Sequence, residues 1–158
     1  MRAAGKSDLS TRPAFVDANV LINAFDTAAS EGRREPAIEL LERGFSGEAR
    51  LAVSNQVLGE LLHALTRSGR RRTAVRDARS IVEDFVISTM WTRLEYGCDT
   101  VARGADIAMR HGIDSWDAVI VATMQDHGIS KIYTENDEDF APVPGLEVIN
   151  PSHAPARE

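Results

Sequence analysis

The chain has 158 residues, of which 43% are hydrophobic and 27% charged, enough apolar material for one domain with its own core. No stretch approaches the ~18 to 20 consecutive apolar residues of a membrane span, and the single cysteine, Cys98, excludes an internal disulfide and fits a reducing cytosol. The net charge of −6 argues mildly against a nucleic-acid partner, unless the acids gather at a metal and the bases elsewhere. From the N-terminus, residues 1–12 lack the apolar run of a signal peptide and are expected to be a flexible leader. Ala14–Val16 reads as a short buried strand. Val20–Phe25 starts a helix for which Asn19 is a candidate cap. Glu35–Phe45 is predicted helical, with Ile38, Leu41 and Phe45 on one stripe and Pro36 in its first turn. Arg50–Val53 follows as a strand. Ser54 or Asn55 then caps a helix whose stripe is Val57, Leu58, Leu61, Leu62 and Leu65, closed by Gly69.

Thr73–Phe85 is expected to be helical and Val86–Ser88 a strand. The segment Thr92–His111 reads as mainly helix, with Val101, Ala105, Ala108 and Met109 facing inward and Gly112 as its stop. Ser115–His127 is a helix that is apolar all round over Ala118–Ala122, so it should be buried. Lys131–Tyr133 and Leu146–Ile149 are strands, and residues 152–158 a flexible polar tail. Strands alternate with helices, which implies an α/β fold: one domain over 13–151 with a mostly parallel sheet flanked by helices.

In such a sheet ligands sit beyond the carboxyl ends of the strands. Asp17 directly follows the strand AFV, and Asn136 and Asp139 follow KIY. Asp117 starts a stripe, with Val121 and Met124, that is otherwise core. It also reads, with Asp114 as cap, as part of a capping box. Glu60 lies at the edge of the apolar stripe of its helix, where a solvated glutamate is the ordinary explanation; His63 points away from that stripe. Each acid has a bland reading alone. Together, Asp17, Glu60, Asp117 and Asp139 would repel one another unless a cation neutralised them. The four histidines show no zinc spacing, so oxygen ligands and a hard ion, Mg²⁺ or Mn²⁺, are the expected chemistry.

These segments resemble PIN domains, and among them the VapC-type ribonuclease toxins of bacterial toxin–antitoxin pairs. The likeness rests on "VDANVLI", the helix carrying Glu60, "SWDAVIVATM", and "YTENDEDF" followed by "VPGLEVINP", spanning roughly Phe15 to Pro151. It implies a PIN-like fold in which Asp17, Glu60, Asp117 and Asp139 form a catalytic, metal-binding site for Mg²⁺, with Mn²⁺ as a substitute. Asn19, Thr134 and Asn136 would orient the ligands from behind. It further implies hydrolysis of RNA by a metal-activated water, leaving a 5′-phosphate and a 3′-hydroxyl, in a cytoplasmic homodimer silenced by a cognate antitoxin encoded beside it. Asp114 and Asp137 remain open as contributors. The segment from Arg67 to Arg79 holds six arginines and one acid; Arg70, Arg71 and Arg72 are candidate phosphate contacts, a solvated loop, or a match for an acidic partner. The alternatives to an RNase are a PIN-like nuclease acting on DNA or another structured nucleic acid, and a PIN module that binds without catalysis. An aspartyl phosphatase would want a second acid two positions after Asp17, where Asn19 stands.

Overall fold

Strands of three or four residues hold only when both faces are covered, and the strands here are short and mostly buried. In the computed structural model, which describes residues 12–67 and 73–153, every side chain of β1 (Ala14–Val16) and β2 (Leu51–Ser54) is buried. The sheet continues with β3 (Thr92–Leu94), β4 (Lys131–Tyr133) and β5 (Glu147–Ile149). Its order is β3-β2-β1-β4-β5, and every pairing is parallel. β1 is therefore central, and the connections run through helices that cover the faces. These are α1 (Ala18–Phe25), α2 (Glu31–Ser46), α3 (Asn55–Thr66), α4 (Val75–Ile87), α5 (Cys98–His111), α6 (Ser115–Asp126) and the single turn α7 (Asp137–Phe140). Among the described residues no helix is long and apolar enough to cross a membrane.

The expected alternation holds, with four local corrections. α2 begins at Glu31, so Pro36 lies inside the helix and not in its first turn. Val86 and Ile87 belong to the last turn of α4, and the edge strand is Thr92–Leu94, inside the segment read as helix. Only Leu94 of that strand is buried, so no apolar alternation marks it. The cap of α1 is Asp17, not Asn19.

The face of α5 is the fourth. Thr100, Gly104 and Ile107 are buried, Ala108 is half-buried, and Val101, Ala105 and Met109 face outward, Met109 being 77% exposed. Close approach to α6 decides this. A Cβ on Gly104 would lie 2.8 Å from Val119 Cγ2 and 3.0 Å from Val119 Cα, so only glycine fits. Thr100 is buried because its hydroxyl donates to Asp126, which also pairs with Arg103. Small and partnered residues face α6, and an apolar wheel does not find them.

Elsewhere the core follows the apolar stripes. Phe45, Phe85 and Trp91 pack ring against ring, with centroids 5.0 to 5.5 Å apart, between α2, α4 and the approach to β3. Val57, Leu58, Leu61 and Leu65 bury the stripe of α3, whereas Leu62, read as part of it, is exposed; His63 is exposed as expected. Seven consecutive residues of α6, Ala118 to Met124, are buried. α6 therefore runs through the interior and presents only its first turn to the carboxyl end of the sheet. Of the expected leader only Arg12 is described, and of the expected tail only Ser152 and His153; the remainder lies outside the described residues.

Candidate active site

Asp17 stands where the backbone of β1 turns into α1. Its N–H donates to the carbonyl of Tyr133 at the end of β4, which fixes it between two neighbouring strands. Its carboxylate is only 4% exposed and fully engaged: Oδ1 accepts from the N–H of Ala18 at 2.7 Å, and Oδ2 from the hydroxyl of Thr134 at 2.8 Å. Burial pushes its pKa up to about 6. The two hydrogen bonds oppose that rise, and the charges of Glu60 and Asp139 add to it.

The hydroxyl of Thr134 is a hub. Besides donating to Asp17, it accepts from Asn19 Nδ2 at 3.3 Å and from the N–H of Asn136 at 3.1 Å. Asn19 Oδ1 accepts from the N–H of Glu135 at 3.1 Å. Asn19 thus stitches the start of α1 to the segment after β4. Among the expected supporting residues, Asn19 and Thr134 act through their side chains. Asn136 enters through its backbone alone, and its carbonyl receives the N–H of Asp139.

Asp117 lies in the first turn of α6 and is half-buried. Burial first, then repulsion from Asp17, Asp114, Asp139 and Glu60, pushes its pKa up to about 7. Asp114 caps the helix, accepting from the N–H of Trp116 at 2.8 Å. Asp114 alone is the cap; the capping box read with Asp117 does not form, and Asp117 is left to the electrostatic coupling. Glu60 is half-buried on α3, and its Oε1 accepts from Gln56 Nε2 at 3.0 Å. Asp139 sits on α7, exposed, beside the fully buried Phe140.

The fold thus gathers Asp17, Glu60, Asp117 and Asp139 at one end of the sheet, close enough to perturb one another. Among the described residues no three acids, histidines or cysteines are close enough to hold one ion directly together. A hard cation here would take one or two carboxylates directly and reach the others through water, which is how Mg²⁺ is usually held. Arg70, Arg71 and Arg72 lie outside the described residues.

Two features of this end were not read from the sequence. Glu135 and Asp137 are tied to the chain after β5. Ser152 Oγ donates to Glu135 Oε1 at 2.6 Å, and Asn150 Nδ2 to Asp137 Oδ1 at 2.9 Å. The Asn150 contact holds the Asp137 carboxyl below its usual range. Gln56 is the other. It is buried, and its Nε2 bridges Glu60 Oε1 and, at 3.2 Å, the carbonyl of Trp116, joining α3 to the start of α6. Its place four residues before Glu60 was the available signal.

The raised acids set a pH dependence. A carboxyl whose pKa is higher in the folded than in the unfolded chain binds more protons when folded, so stability falls as pH rises between the two values. For Asp17 and Asp117 that window runs from the ordinary value of 3.8 up to about 6 and about 7. Without divalent ions, the thermal midpoint is expected to fall between about pH 5 and about pH 8 relative to a chain carrying Asn at both positions. Mg²⁺ should raise the midpoint at the upper pH and little at the lower. Calorimetry across this range checks both; a Mg²⁺ effect independent of pH would contradict the coupling.

The sequence pattern of the PIN domain family matches residues 14–146. The chain is 30% identical over 136 residues to Ribonuclease VapC13 of Mycobacterium tuberculosis, covering 84% of this chain and 96% of that protein. Two solved structures share the fold. A toxin–antitoxin complex from Klebsiella pneumoniae matches with a TM-score of 0.61 and 23% identity, over 87% of this chain and 97% of that one. VapC20 of Mycobacterium tuberculosis, a toxin that cleaves the sarcin–ricin loop, matches with a TM-score of 0.60 and 22% identity, over 75% and 86%. With its parallel five-stranded sheet and its acids at the carboxyl end, the chain belongs to the PIN domain family.

Proposed function

We propose that the protein is a Mg²⁺-dependent endoribonuclease, the toxin of a toxin–antitoxin pair, with Asp17, Glu60, Asp117 and Asp139 as its catalytic and metal-binding acids. The observation that carries this reading is the mutual repulsion of four acids at one end of the sheet, with two of them pushed up to about 6 and about 7. A stable protein has little reason to keep such a cluster unless a cation offsets it. The donors are hard carboxylate oxygens, which suit Mg²⁺ or Mn²⁺. The names of the relatives, a ribonuclease and a toxin, support the activity.

Bound Mg²⁺ would supply positive charge to the phosphate under attack and lower the pKa of the attacking water. The chain does the rest. Thr134 and the Ala18 N–H hold the Asp17 carboxylate in one orientation. Asn19 keeps the Thr134 hydroxyl directed at Asp17 by bracing the segment that carries it. Gln56 holds Glu60 toward α6. Asp139 closes the site from α7, anchored by Phe140 in the core. Asp17 and Asp117, kept partly protonated without a cation, become ionised as one binds, so activity should rise with pH through the window above.

The partners follow from the same reading. RNA is the substrate. The chain works as a homodimer in the cytoplasm, and a cognate antitoxin inhibits it; the toxin–antitoxin neighbour supports that partner. An open groove of about 280 Å³ between α1, α2 and α4, lined by Phe25, Ile38, Leu41, Phe45, Ile81 and Phe85 together with the acids Glu42 and Asp84, offers an antitoxin segment a largely hydrophobic seat.

The test incubates the purified protein with total RNA, with single-stranded DNA and with a small phosphomonoester, each with and without Mg²⁺. Cleavage of RNA alone, giving 5′-phosphate ends by sequencing and stopped by EDTA, is expected. Equal cleavage of DNA would favour the broader nuclease reading, and binding of RNA without cleavage the non-catalytic module.

A further inference from the structure

We propose that the exposed indole of Trp116 is the stacking platform for an unpaired base of the RNA strand that enters the acid site. The inference rests on the ribonuclease reading and adds to it how the strand is held. The chain has two tryptophans. Trp91 is 3% exposed, inside the aromatic cluster, where an indole belongs. Trp116 is 58% exposed and immediately precedes Asp117. A large aromatic surface left in water costs free energy, and this one belongs to the first turn of α6, the turn that carries Asp117.

The backbone of Trp116 is fixed on both sides, while among the described residues no hydrogen bond or ring contact engages its side chain. Its N–H donates to Asp114 Oδ1, and its carbonyl accepts from Gln56 Nε2, the same amide that holds Glu60. The root of the indole is thus set relative to both Glu60 and Asp117. Asn55, next to Gln56, accepts the N–H of Tyr96 at 3.3 Å, which brings a second aromatic residue to the same end of α3.

The chemistry of the site calls for such a platform. Carboxylates repel the phosphates of a strand, a bound cation offsets this only locally, and the whole chain is acidic. Grip on the nucleotides beside the scissile bond then gains most from contacts that ignore charge. Base–aromatic stacking does this, and every base has a face to offer. A base inside a duplex is already stacked and paired, so Trp116 selects strands with unpaired nucleotides.

The experiment reads tryptophan fluorescence and steady-state cleavage. In Asp17→Asn protein with Mg²⁺, a single-stranded oligoadenylate should quench the exposed indole and shield it from iodide, whereas a same-length oligoadenylate–oligouridylate duplex should not. Trp116→Ala, which keeps both backbone hydrogen bonds, should abolish the signal. In the otherwise wild-type chain it should raise KM for single-stranded RNA roughly tenfold or more, with kcat little changed, and Trp116→Phe should recover most of the loss. Wild-type protein that cleaves RNA while Trp116→Ala keeps its KM would overturn the stacking role alone. So would an indole already shielded from iodide in RNA-free protein, which would place it in a self-association interface. Quenching without any cleavage would keep the stacking role and remove the nuclease reading; neither cleavage nor quenching would remove both.

Discussion

Asp17→Asn is expected to lower Mg²⁺-dependent RNA cleavage more than a hundredfold, beyond the range typical of residues that only support a metal ligand, while the fold survives. The substitution removes a charge and almost no volume. Asn Oδ1 can still accept from the N–H of Ala18 or the hydroxyl of Thr134, so the turn from β1 into α1 keeps a cap. What disappears is the cost of ionising a buried carboxyl near Glu60 and Asp139. The thermal midpoint of the metal-free variant near neutral pH should therefore equal or exceed that of the parent. Asp17→Ala is the contrasting case: it loses activity and also the cap, and should melt earlier by about 1 kcal/mol or more. Single-turnover cleavage and a melting curve on both variants separate the two effects. Undiminished cleavage by Asp17→Asn at equal Mg²⁺ would remove the acid site from the mechanism.

Between the acids of "TENDEDF", Asp139→Asn should cost at least tenfold in cleavage and Asp137→Asn less than about twofold. Asp139 is among the charges that raise both Asp17 and Asp117, whereas Asp137 is not. Phe140, fully buried, fixes α7 and with it the position of Asp139. Asp137 instead accepts from Asn150, just after β5. Its carboxyl is held below the usual range, so its contribution to stability is present above the ordinary carboxyl pKa and fades as pH falls. Asp137→Asn should thus show its small effect in melting near neutral pH, not in cleavage. The reverse ranking would move the fourth acid of the site to Asp137 and leave the other three in place.

Much of this arrangement is legible in the sequence, and the reasons are physical. A buried parallel strand must be an apolar run, so AFV is visible, and KIY shows as a short β-prone segment around the buried Ile132; the polar residues that follow both mark the carboxyl end of the sheet. The helix apolar all round, α6, announces its own burial and makes the acid at its start conspicuous. β3 is hidden because an edge strand buries one residue of three. The face of α5 is hidden because Gly104 is chosen for the proximity of Val119, which periodicity does not encode. Asn19 resembles a cap in sequence; its true work, bridging to Thr134 and Glu135, depends on the pairing of β1 with β4. Gln56 and the ties of Glu135 and Asp137 beyond β5 are long-range contacts between polar residues that each look solvated alone.

The hydrogen bond from Thr134 to Asp17 closes a loop of 117 residues. β4, which supplies Thr134, pairs directly with β1. On the ribosome, Asp17 emerges early with only its local cap bond to Ala18, and its second carboxylate oxygen waits for most of the chain before Thr134 arrives. Contacts of such high sequence separation form late and together. A chain that stops before Thr134 therefore keeps the local contacts of Asp17 and Glu60 but has neither the hydroxyl that orients Asp17 nor the carboxylate of Asp139 beside it.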